Sequence, residues 1–198
     1  IISSVIALYI IALLFVNYEH PKSTARIYAE DARLIDMPTT GGEGKSVVVV
    51  GGGPAGSMAA WEAAKGGVSV CMLEKDRDIG MPVRCGEAIG YTGLNQFFKP
   101  KSTWIASEIN GAVLVSPKNH KVGIDFKSET GYILNRRIFD YDLSRIVVEN
   151  GGEVFTKSYV SDIILENNFA KGVKVEYFGE KKEIFANLVI GADGLESR

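Results

Sequence analysis

Cysteine is nearly absent. Two of 198 residues, Cys71 and Cys85, are too few for a disulfide scaffold. Neither belongs to a CxxC pair, and the two histidines, His20 and His120, stand alone, so the sequence shows no Cys/His metal spacing. An excess of charge is lacking too. A net charge of −2 argues against a nucleic-acid surface, which needs basic residues. No internal repeat is visible, which excludes a solenoid or propeller. Long apolar runs are confined to residues 1–16, broken only by Ser3 and Ser4.

That run admits three readings. Sixteen residues fall short of the roughly 20 that span a bilayer, yet the chain starts at Ile1 rather than Met. A transmembrane or anchor helix over residues 1–18 is the reading adopted. A signal-peptide core lacks an obvious small-residue cleavage site after Val16, and a buried core helix is the third choice. Tyr9 and Tyr18 suit an interface. Glu19, Lys22 and Arg26 are too mixed in charge to fix an orientation. Residues 19–45 read as a linker containing a short helix from Ala25 to Leu34 and the Pro/Gly-rich stretch from Pro38 to Gly44. Because the chain also ends within a few residues of a motif described below, it is expected to be a fragment.

The folded part is organised around Val47-Val48-Val49-Val50-Gly51-Gly52-Gly53-Pro54-Ala55-Gly56. Four β-branched residues in a row predict a buried strand. Gly51, Gly53 and Gly56 occupy the slots of a GxGxxG turn: one for the tight turn, one for backbone approach to a pyrophosphate, one for helix–strand packing. Ser57 to Lys65 is rich in helix formers and ends at Gly66-Gly67. Val68 to Leu73 predicts a second strand, with Cys71 as a small core residue. Glu74 follows at its end, 23 residues after Gly51, near the offset of about 20 expected of a ribose-binding acid. A carboxylate there accepts from both ribose hydroxyls and disfavours the 2′-phosphate of NADP.

Lys75 to Gly90 is charged and then Gly/Pro-punctuated, predicting a loop that leaves the ligand-binding edge of the sheet. Position places Arg84 and Cys85 within reach of a nucleotide; a solvated charge and a small packed residue are the alternative readings. Gly111–Ser116 and Lys121–Phe126 predict paired strands around Pro117-Lys118-Asn119-His120, and Tyr132–Leu134 a short strand. Arg137 to Asn150 predicts a helix with Ile138, Leu143, Ile146 and Val147 inward. Strand signals at 153–156, 159–165, 172–178 and 182–185 predict a meander across the nucleotide domain. Leu188-Val189-Ile190 is read as a last buried strand running into Gly191-Ala192-Asp193-Gly194. There Asp193 is either a turn-forming aspartate or a ligand residue.

Together, GGGPAG with Glu74, the segment Arg136-Arg137-Ile138-Phe139-Asp140 and the strand-plus-GADG ending resemble the FAD-dependent oxidoreductases related to para-hydroxybenzoate hydroxylase. Pro82-Val83-Arg84-Cys85-Gly86-Glu87-Ala88-Ile89 is most similar to their geranylgeranyl reductase branch. The resemblance covers about residues 46–198. It implies an α/β class: a Rossmann-like FAD-binding βαβ domain with an inserted antiparallel β-meander, part of a substrate domain around 100–135, and an N-terminal hydrophobic helix.

It also implies roles. Gly51, Gly53, Pro54, Ala55 and Gly56 would hold the pyrophosphate, and Glu74, with Lys75 beside it, the ribose. Arg84, Cys85, Gly86 and Ala88 would line the path toward the flavin, and Arg136 would contact the cofactor. Val160 would bond adenine through its backbone, and Asp193 would serve FAD and a passing nicotinamide. The implied activity is reduction of isoprenoid double bonds by hydride from reduced FAD. Cys85 is the candidate catalytic residue, and NAD(P)H or ferredoxin the electron donor. A lipid substrate implies membrane association with a cytoplasmic catalytic domain. The family's third motif, a Gly-Asp, is expected beyond Arg198. An aromatic or quinone monooxygenase, a quinone-linked electron-transfer flavoprotein dehydrogenase and an inactive truncated nucleotide-binding fragment are the alternatives.

Overall fold

The computed structural model describes residues 46–126 and 130–197. The apolar helix expected at 1–18 and the linker expected at 19–45 lie outside the described residues. Among the described residues no helix is long and apolar enough to cross a membrane.

In chain order the elements are β1 (Ser46–Val50), α1 (Pro54–Lys65), β2 (Ser69–Leu73), β3 (Ala88–Gly90), α2 (Tyr91–Asn95), β4 (Ile105–Ile109), β5 (Gly111–Val115), β6 (Lys121–Asp125), β7 (Gly131–Leu134), α3 (Arg136–Glu149), β8 (Glu153–Phe155), β9 (Ser158–Glu166), β10 (Phe169–Tyr177), β11 (Glu180–Phe185) and β12 (Leu188–Gly191). They fall into two units, one made of residues up to Met81 and from Asp140 onward, the other of Pro82–Phe139.

The first unit is built on a parallel sheet of order β12-β1-β2-β8. Both faces of this sheet are covered, which explains why β1 reads as unbroken valine rather than alternating. Successive side chains still point to opposite faces. Val47 and Val49 join Ala60 and Ala64 of α1 and Val147 and Val148 of α3. Val48 and Val50 join Val173, Val175 and Tyr177 of β10 and Ile184 of β11. The second layer is an antiparallel sheet of order β11-β10-β9; it is the expected meander without its first strand, because Glu153–Phe155 pairs parallel to β2 in the first layer instead.

Two further expectations in this unit are corrected. Leu188–Ile190 is not a buried strand: β12 is the sheet's edge, paired on one side to β1, with Leu188 38% exposed. On α3 the inward stripe is Phe139, Asp140, Leu143, Ser144, Val147 and Val148, while Ile138 faces outward. The period of 3.6 fits either set near the helix start, and packing selects Phe139.

The second unit holds a three-stranded antiparallel sheet, β3-β7-β4, and a separate hairpin, β5-β6. The hairpin and its turn match expectation, with Asn119 supplying a positive φ of 60°. The loop expected through Gly90 is shorter. Ala88–Gly90 pairs with β7, an alignment too short to leave a periodic signal. Strand β4 and helix α2 were likewise not anticipated. An aromatic cluster carries this unit's core: Trp104 meets Phe98 and Phe139 edge-on, with centroids 5.8 and 5.1 Å away.

Candidate functional site

The parallel strands of the first unit deliver their carboxyl ends to one edge, and backbone bonds carry the register into the loops. Gly51 N–H donates to Leu73 O at 2.7 Å, Ala192 N–H to Val50 O at 2.8 Å, Glu74 N–H to Phe155 O at 2.8 Å and Ser158 N–H to Glu74 O at 2.8 Å. Such an edge is where open α/β sheets take their ligands.

The three motif glycines are required for three different reasons. Gly51 sits at φ +107°, open mainly to glycine, and a Cβ there would lie 2.3 Å from Ala192 O. The first glycine turn is therefore packed directly on the Gly191–Gly194 turn. A Cβ on Gly56 would meet Gly51 O at 1.9 Å, so the third glycine lets α1 close on the corner. Gly53 differs: a Cβ there would have nothing within 4 Å. The fold leaves open space in front of the second motif glycine, where a ligand's phosphates would approach.

Gly53 is the extended residue before α1, and Ser57 N–H donates to its carbonyl at 2.9 Å. Pro54 has no N–H to offer. The N–H groups of Ala55 and Gly56 emerge at the helix end without intrahelical partners, and the helix dipole favours an anion there.

Glu74 is held in place by amides. Gly52 N–H donates to its Oε2 at 2.7 Å and Asp76 N–H to its Oε1 at 2.9 Å. Each carboxylate oxygen keeps further acceptor capacity, so two hydroxyls on adjacent carbons can be met by one fixed group. Lys75, next in the chain, forms an ion pair with Glu196 in the short 3-10 turn Gly194–Glu196. Asp193, which starts that turn, is exposed.

Val160 lies on β9, the outer strand of the meander, beside a register shift in its pairing with β10; its half-buried side chain packs against the core cluster that includes Val48 and Phe155. Among the described residues β9 has a strand neighbour, β10, on one side only.

The structure thus brings together Gly51, Gly53, Pro54, Ala55, Gly56, Glu74, Lys75 and Asp193, with Val160 in the same unit. Arg84, Cys85, Gly86, Ala88 and Arg136 belong to the second unit. There Cys85 is exposed, and Glu87 N–H donates to its Sγ at 3.4 Å. Glu87 holds a positive φ of 61° and its carbonyl accepts from Leu134 N–H at 2.9 Å. A non-glycine residue kept in that region stores strain of the sort found at ligand clamps. Cys71, the other thiol, is buried; burial pushes it far above the usual thiol range, and Glu153 facing it on β8 adds to this. It is core, as expected.

Sequence reasoning missed three residues. Gly52 supplies the amide that fixes Glu74, and a Cβ on it would lie 2.6 Å from Ile79 Cδ1 and 3.1 Å from Glu74 Oε2. Ile79 is buried against this corner. Ser57 donates its hydroxyl to Gly52 O at 3.3 Å from a buried position. The run of three glycines was the available signal, since the GxGxxG pattern uses only two of them.

The chain is 40% identical over 155 residues to digeranylgeranylglycerophospholipid reductase 2 of Methanococcoides burtonii, covering 77% of this chain and 38% of that protein. It is 44% identical over 155 residues to digeranylgeranylglycerophospholipid reductase of Methanothrix thermoacetophila, covering 77% and 40%. The chain therefore spans well under half the length of these relatives. Among solved structures, a geranylgeranyl bacteriochlorophyll reductase-like protein of Thermoplasma acidophilum superposes with TM-score 0.68 at 38% identity, over 77% of this chain and 40% of that one. A myxobacterial chondrochloren halogenase shares the fold, with TM-score 0.63 at 20% identity, over 81% of this chain and 39% of that one. The sequence profile of FAD dependent oxidoreductases matches residues 46–195, and the chain belongs to that family.

Proposed function

We propose that this chain is the cofactor-binding portion of a reductase that saturates the isoprenoid double bonds of geranylgeranyl lipids. One observation carries the cofactor half of the reading. The Glu74 carboxylate, fixed by the Gly52 and Asp76 amides, stands beside a glycine corner that is open at Gly53 and tight at Gly51 and Gly56. These residues fit the adenosine diphosphate half of FAD. Glu74 takes the ribose hydroxyls, the first-turn amides of Ala55 and Gly56 take the pyrophosphate, and the edge of β9 at Val160 takes the adenine. The substrate half rests on the relatives near 40% identity, whose names specify digeranylgeranylglycerophospholipid, and on the Arg84–Ala88 stretch.

When bound, FAD in its reduced form supplies a hydride to one alkene carbon. The other carbon needs a proton, and Cys85 is the side chain we assign to deliver that proton or hold the isoprenoid in register. The alkene has no carbonyl to polarise, so placement by the protein carries much of the rate. Asp193 and Arg136 complete the cofactor contacts in this reading. The part around residues 100–135 is the start of the substrate domain, and the enzyme works at a membrane with its catalytic domain in the cytoplasm. NAD(P)H or ferredoxin returns the electrons.

The test uses the full-length protein. Its visible spectrum is expected to show bound flavin, and reduced enzyme is expected to add H2 across the double bonds of digeranylgeranyl lipids, followed by mass spectrometry. Absence of flavin, or flavin without alkene reduction, would overturn the reading. Cys85→Ser is expected to keep the flavin spectrum and slow reduction; a wild-type rate removes Cys85 from the chemistry.

A further inference from the structure

The inward stripe of α1 is made of small residues: Gly56, Ser57, Ala60 and Ala64 are buried. Glycine and alanine suit a close helix–sheet contact by size alone. Ser57 adds a hydroxyl at a position only 1% exposed, and a buried hydroxyl is costly unless it is bonded. Alanine would fill nearly the same space without that cost, so what distinguishes serine here is the bond it makes.

A helical serine ordinarily bonds a carbonyl three or four residues back. Ser57 reaches one residue further, out of the helix and into the glycine turn: its hydroxyl donates to Gly52 O at 3.3 Å. Met72 Sδ, 3.8 Å away, is the weaker acceptor. The Ser57 N–H meanwhile donates to Gly53 O at 2.9 Å. One residue therefore holds two successive carbonyls of the turn.

The link between Gly52 and Gly53 joins two residues without side chains, and such a link has the widest conformational choice. The peptide before it is held on both sides. Gly51 O lies against Gly56, where a Cβ would stand 1.9 Å from it, and Gly52 N–H donates to Glu74 Oε2 at 2.7 Å. For the Gly52–Gly53 peptide the Ser57 hydroxyl supplies the restraint. A trans peptide is planar, with its C=O and N–H opposed. Holding Gly52 O toward the buried serine thus turns the Gly53 N–H the other way.

We propose that Ser57 is a positioning residue for the cofactor's pyrophosphate: by holding Gly52 O it aims the Gly53 N–H at the phosphates, beside the amides of Ala55 and Gly56. This role rests on the assignment of the glycine corner to the adenosine diphosphate half of FAD.

The experiment uses the full-length protein freed of flavin, titrated with FAD, ADP and adenosine. Ser57→Ala is expected to weaken FAD and ADP about tenfold, roughly the worth of one hydrogen bond to a charged group. Adenosine, which carries no phosphate, is expected to bind as it does to wild type. Ser57→Cys keeps the volume but offers only a weak S–H donor, and is expected to lose FAD and ADP affinity as Ser57→Ala does.

Unchanged ADP affinity in Ser57→Ala overturns the proposal. So does an equal loss for adenosine, which would mean that the whole corner has loosened. Wild-type affinity in Ser57→Cys also overturns it, since volume rather than the hydroxyl would then be at work. A wild-type protein that binds neither FAD nor ADP sinks the cofactor reading along with the proposal. Wild-type binding that both variants share sinks the positioning role and spares that reading.

Discussion

The two units solve the problem of a core in opposite ways. In the first, a parallel sheet is covered on both faces, so Val48, Val49, Met72, Leu73, Val173 and Val175 are all but fully buried. In the second, an aromatic knot of Phe98, Trp104 and Phe139 is packed edge-on, while the neighbouring hairpin is bare. Nucleotide sites depend on fixed geometry, because a phosphate cradle misplaced by an ångström loses its amides. The second unit's core is small and local by comparison. The difference in burial can be pressed experimentally.

The largest expected effect lies within one motif. Gly56→Val sets a side chain into the backbone carbonyl of Gly51, which cannot swing aside, and is expected to cost about 4 kcal/mol or more. Denaturant unfolding should show the first unit lost. Gly53→Val, three residues earlier, meets nothing within 4 Å and is expected to leave folding within about 1 kcal/mol of wild type while abolishing flavin binding. Equal destabilisation by the two would end the claim that one glycine serves the fold and the other the ligand.

Next comes Glu74→Ala. It removes the ribose acceptor and leaves the Gly52 and Asp76 amides without their partner. Hydrogen bonds to a charged group are worth about 1.5–3 kcal/mol, so flavin affinity is expected to fall at least tenfold by titration. Full flavin occupancy at wild-type affinity would contradict the assignment.

These variants also mark where the sequence was legible. The β1–α1–β2 crossover could be read because four valines, three glycines and one acid each have a narrow physical meaning. The meander could be read because polar turns such as Asn167-Asn168, both at positive φ, interrupt its strands. Gly52 was missed because its constraint is long-range: the clash is with Ile79 and Glu74, more than twenty residues on. Strands β3 and β4 were missed because they exist through pairing with β7 rather than through local pattern. Arg84 and Cys85 could be placed near the ligand edge by position, but Gly86 and Ala88 acquired meaning only by resemblance, since a Gly-punctuated loop carries no periodicity.

A smaller effect compares burial directly. Val173→Ala, at a fully buried site, is expected to cost about 2 kcal/mol through lost packing. Val113→Ala on the bare hairpin is expected to change stability by less than about 0.5 kcal/mol. Similar losses in differential scanning measurements would mean the hairpin is covered in the intact protein.

The smallest effect concerns Glu153, which opens β8 and faces Cys71. Partial desolvation raises its carboxyl above the usual range, so in this region the folded state binds more protons than the unfolded chain. The sign follows from linkage: stability falls as pH rises from the ordinary carboxylate range through the raised value, and the loss persists above it. Glu153→Gln removes that slope. The variant is expected to be slightly more stable than wild type at neutral pH and no more stable at acid pH, read by unfolding midpoints across the range. Identical pH profiles would show that the partial desolvation at the start of β8, where Glu153 is exposed and Val154 and Phe155 are buried, has no weight in stability.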